Sequence, residues 1–127
     1  MARTIQLFAG IQFLIIGLSH LLQPRAWVAF FITLRGLGTT GVFANAFLSL
    51  WFGSIIVVFH DVWSTWAVVL TVIGWLQVVK GAIGFILPQV SMRSFERVSY
   101  ERAFEFQIAG VIALILAALM GYLLVST

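Results

Sequence analysis

The chemistry open to this chain rests on a few polar residues set inside long apolar runs. Lys80 stands in GWLQVVKGAIG, residues 74–84, with Gln77 one turn before it and Gly81 and Gly84 one turn after. An ammonium inside such a run is costly unless it snorkels to the headgroup layer or meets an anion. Two readings follow. Either Lys80 is an interfacial anchor, or it belongs to a ligand-binding set of Lys80, Gln77, His20 and Arg35. In the second, cations converge on glycine-lined backbone to hold an anion, a lipid headgroup or a quinone carbonyl.

His60 and Asp61 form a second polar spot, expected at the opposite membrane face from His20. Two histidines about one bilayer apart cannot both ligate one haem, so a bis-histidine site within a single chain is disfavoured. His20 and His60 each stay open as a single ligand to haem or chlorophyll. The other reading of FHDVW is a capped hairpin, with Asp61 as N-cap of the following helix and Trp63 and Trp66 at the interface. Cysteine is absent, and the only acidic residues are Asp61, Glu96, Glu101 and Glu105, so no thiol chemistry and no carboxylate pair within a span is available. No cofactor is required by the sequence.

The elements that must position these residues are membrane spans. Of 127 residues 62% are hydrophobic and 9% charged, where soluble domains carry about 25% charged residues, so the chain reads as an integral membrane protein. The +3 formal charge lies in connections between apolar runs, which points to topology signals and lipid headgroups rather than nucleic acid. Charge-free or nearly charge-free runs place spans at about 4–23, 40–59, 62–87 and 106–124, in one integral-membrane domain covering 1–127. The first run is long and lacks a small-x-small site after it, so it is expected to be a retained span rather than a signal peptide.

Residues 26–34 are too few to cross and form an interfacial or re-entrant helix. Residues 89–103 form an amphipathic segment in which Arg97 and Glu101 stand at i, i+4. The fold expected is an all-α antiparallel bundle of four transmembrane helices. Arg25, Arg35, Arg93, Arg97 and Arg102 gather in the first and third loops, which positive-inside logic places in the cytoplasm with both termini outside.

Small residues recur at helical spacing in every span, and in lipid such stripes let backbones approach. The packing positions are Gly10 and Gly17; Gly41, Asn45, Ser49 and Gly53; Gly74 and Gly81; Gly110 and Gly121. Gln6, Asn45, Thr71 and Gln107 are candidates to hydrogen-bond one another across the bundle, with Asn45 and Gln77 lining a solute path as the alternative.

GIQFLIIGLSHLLQPRAWVAFFITL, residues 10–34, resembles the start of DoxX-like small membrane proteins: a first helix with spaced glycines, a polar residue near its end, then proline and an amphipathic piece. The four-span plan resembles that family and other small four-span bacterial membrane proteins. Where the family commonly has lysine near the end of the first helix, this chain has His20. The resemblance implies an accessory role beside quinone-linked oxidoreductases. The function expected is a non-enzymatic accessory or assembly subunit of a larger inner-membrane complex, in contact with lipid and with other membrane proteins or further copies of itself. The alternatives are a small oligomeric transporter or anion channel, and a quinone- or haem-associated redox protein.

Overall fold

The computed structural model describes residues 2–126, and every element in it is helical. Helix α1 runs Ala2–Leu22, α2 Pro24–Gly36, α3 Thr39–Phe59, α4 Val68–Ile86, α5 Pro88–Glu96 and α6 Phe104–Val125, with a 3-10 turn at Tyr100–Arg102. Four of these helices are long and apolar enough to cross a membrane. The 21 residues of α1 or α3 give about 32 Å of axis, which matches a hydrocarbon core of about 30 Å. At 13 residues α2 is too short to cross.

Proline and glycine set the breaks. Pro24 and Pro88 occupy the first turns of α2 and α5, where a missing N–H leaves nothing unsatisfied. Gly38 takes φ 65 between α2 and α3, a left-handed conformation that favours glycine. Gly41 then lies so close to the Leu34 backbone that no side chain fits.

The spans are antiparallel and zip in two pairs. In the α1–α6 pair, a Cβ at Gly110 would stand 2.7 Å from the Gly17 carbonyl oxygen, and one at Gly10 would stand 3.1 Å from Met120 Cβ. In the α3–α4 pair, a Cβ at Gly53 would stand 2.7 Å from the Gly74 carbonyl oxygen, and one at Gly81 would stand 2.7 Å from Leu50 Cβ. Gly74 is closed by Ile56 in the same way. These distances mean backbone-to-backbone seams, the arrangement small residues allow in lipid. Gly121 is a correction: nothing lies within 4 Å of where its Cβ would stand, and Met120 makes the contact instead.

The pairs join at their ends. At the end bearing the termini, Ile5, Ala9, Ile56, Leu70 and Met120 form one buried cluster with a residue from every span. At the other end Leu34, Val42 and Phe95 bury the interfacial helices against α3. Phe52 bridges the pairs, its ring 5.8 Å from Phe8 and 5.9 Å from Phe13.

Three local expectations change. The third long helix begins at Val68, not near residue 62, because residues 60–63 belong to no regular element and 64–67 form a bend and a turn. Asp61 does not cap α4: its carboxylate accepts from Trp63 Nε1, and the N-cap position is Ala67. Arg97 does not pair with Glu101, since α5 ends at Glu96; it reaches Glu105 at 3.4 Å, which Arg102 also approaches at 3.7 Å.

Candidate functional site

The polar residues of the spans fall into three places. At the end bearing the termini His60 is fully buried, and both ring nitrogens are engaged: Nε2 lies 3.2 Å from Gln6 Nε2, and Nδ1 lies 2.9 Å from Thr71 Oγ1. One donor order satisfies every group. The Gln6 amide donates to His60 Nε2, His60 Nδ1–H donates to Thr71 Oγ1, and the Thr71 hydroxyl donates to the Val62 carbonyl at 2.8 Å. The Val62 N–H donates back to Thr71 Oγ1 at 3.3 Å. Burial holds the His60 imidazole below its ordinary value, opposed in part by its own backbone hydrogen bond and by Asp61. With both nitrogens occupied, His60 has no lone pair to give a metal, which removes it as a ligand candidate. Among the described residues no group of three metal-ligating side chains occurs.

The hydrogen bonding expected among Gln6, Asn45, Thr71 and Gln107 is corrected by this node. Gln6 and Thr71 meet, but through His60. Gln107 donates to the Leu21 carbonyl at 3.5 Å, and Asn45 lies at the other end of the molecule.

The second place is a groove of about 270 Å³ between α3, α4 and α5, lined by Lys80, Asn45, Ser91 and Ser94 on otherwise apolar walls. The third is a groove of about 250 Å³ at mid-span between the two helix pairs, lined by Gln12, Gln77 and Ser49 beside Phe13 and Phe52.

The four residues expected to form one ligand site are therefore divided. Lys80 lines the α3–α4–α5 groove and Gln77 the mid-span groove. His20 stacks on Trp27 at 4.1 Å, its Nδ1–H donating to the Ile16 carbonyl, and borders a separate groove of about 340 Å³ with Arg97, Arg102 and Glu105. Arg35 donates to the Phe95 and Val98 carbonyls at 3.5 and 3.3 Å, closing the end of α5, where a cation suits the free carbonyls. Arg25 covers the Tyr100 ring at 4.6 Å. Sequence reading missed Gln12, Ser91 and Ser94. Gln12 carried a signal, being an amide in the middle of an apolar run; the serines became visible only once α5 was placed.

The outer faces of the four long helices carry exposed leucine, isoleucine, valine and aromatic side chains along their length. This is a multi-pass integral membrane protein. Compared with family models, with curated proteins and with solved structures, the chain matches none.

Proposed function

We propose that the chain is a non-catalytic accessory or assembly subunit of a larger complex in the bacterial inner membrane, its α2–α5 face cytoplasmic and its termini periplasmic. The observation that carries this is the mid-span groove. Gln12 of α1 and Gln77 of α4 both line it, at the depth where water is absent, and neither side chain has a hydrogen-bond partner among the described residues. Open amides inside a bilayer are a feature with which one membrane helix recognises another, because the alternative for such groups is hydrocarbon. The seams of glycine within each pair are already filled, so the groove is the place for a neighbour. The likeness of residues 10–34 to DoxX-like proteins supports the same role, with a quinone-linked oxidoreductase as the neighbour.

The test is purification of the tagged chain from its native membrane in mild detergent, with native mass and co-purifying chains read from one sample. Other membrane proteins should appear in fixed ratio, and Gln12→Leu with Gln77→Leu should lose them while the chain itself stays folded. A homo-oligomer with no other chain would sink the reading.

A further inference from the structure

The groove between α3, α4 and α5 has four polar side chains, and the protein uses none of them. Lys80, Asn45, Ser91 and Ser94 come from three different helices, and no side-chain hydrogen bond or ion pair joins any of them to another described residue. Of the other cations of that end, Arg35 is engaged with carbonyls, Arg25 with a ring, and Arg97 and Arg102 with Glu105, while Arg93 lines a different groove together with Glu96.

We propose that this groove binds the phosphate head of an anionic lipid. Lys80 stands roughly 9 Å along the axis before Ile86, the last residue of α4, so its stem can carry the ammonium from hydrocarbon depth toward the headgroup layer. An ammonium there calls for a counter-ion, and no acidic residue lines the groove. The Asn45 amide and the two hydroxyls supply neutral donors for the remaining phosphate oxygens, a mixed set suited to a phosphodiester. The walls decide between lipid and a free anion. Leu76 and Val79, on the same helix as Lys80, are 60% and 51% exposed, so an acyl chain below the head has an apolar track to lie on. A soluble phosphate would leave that track uncovered. This inference is independent of the partner proposed above, because it concerns a different groove and a ligand present in any membrane.

The experiment is native mass spectrometry of the full chain released from nanodiscs of phosphatidylcholine mixed with phosphatidylglycerol. The wild type should retain phosphatidylglycerol roughly fivefold over its share of the bilayer, the selectivity expected of one lysine at an anionic surface. Lys80→Met should bring retention to parity, Lys80→Arg should keep it, and Ser91→Ala with Ser94→Ala should weaken it. Parity in the wild type, or an unchanged preference in Lys80→Met, would overturn the proposal. So would displacement of the bound lipid by inorganic phosphate with a phosphate adduct in its place, which would assign the groove to a soluble anion. Should Lys80→Met fail to fold, the serine pair carries the same test.

Discussion

The two ends of the bundle handle polarity in opposite ways. At one end Gln6, His60 and Thr71 form a closed set in which each ring nitrogen and hydroxyl has a partner and no water reaches the imidazole. At the other, Lys80, Asn45, Ser91 and Ser94 share a groove and satisfy nothing in one another. The first arrangement is what a structural clasp requires, since leaving one member of a buried set unpaired costs the full desolvation of that group. The second is what a ligand requires. Polar residues in a membrane chain are thus read by their partners rather than by their types. A histidine, which invites a functional reading, is here a clasp, while two serines and an asparagine, which do not, line the open groove.

The largest effect that would sharpen this contrast is His60→Ala. It opens a cavity and leaves Gln6 and Thr71 without their partner, and it should lower the unfolding free energy in mixed micelles by about 3 kcal/mol. Gly53→Val, which drives a side chain into the Gly74 carbonyl, should cost about 2 kcal/mol by the same measurement and separate α3 from α4. Thr71→Val removes one hydroxyl while keeping the shape, and a loss of about 1 kcal/mol is expected.

A pH series tests the clasp without mutation. Burial holds the folded His60 below its ordinary 6.5, so above that pH both states are neutral and stability is level. Below it the unfolded chain takes up a proton first, and stability should decline as pH falls until the folded imidazole also titrates. His60→Ala should lack that slope, and a wild-type profile indistinguishable from it would break the comparison. The smallest effect belongs to the open groove: Lys80→Met should change stability by no more than about 0.5 kcal/mol, because nothing in the protein depends on its charge.

Much of the architecture was legible from hydropathy. The first, second and fourth long helices end within two residues of the limits of the charge-free runs, because such a run has only one way to satisfy its backbone in lipid. The third was placed too early because HDVW is followed by a bend and a turn before the helix starts, the connection being held by Thr71 reaching back to Val62. The glycine seams were legible too, except at Gly121, which meets nothing, and at Gly41, which meets the Leu34 backbone of α2 rather than a neighbouring span. Met120, one residue before Gly121, is the residue that faces Gly10.

The site was harder to read. Charge placement shows which membrane face a residue belongs to but not its azimuth around the bundle, and azimuth follows from which helices pair. Lys80, His20 and Arg35 lie toward the same end of the bundle. They are divided because α5 lies between them, its carbonyls taking Arg35 and its serines joining Lys80.

The pairing of α1 with α6 also sets an order of biogenesis. Helices α3 and α4 are neighbours in the chain and can close their seam while synthesis continues. Helix α1 precedes α6 in the chain, and the surface that fits Gly10 and Gly17 is made only when Gly110 and Met120 emerge. While α2 to α5 are being made, therefore, α1 waits with an open glycine face. A ribosome stalled before α6 would leave an unpaired α1 for membrane quality control to detect.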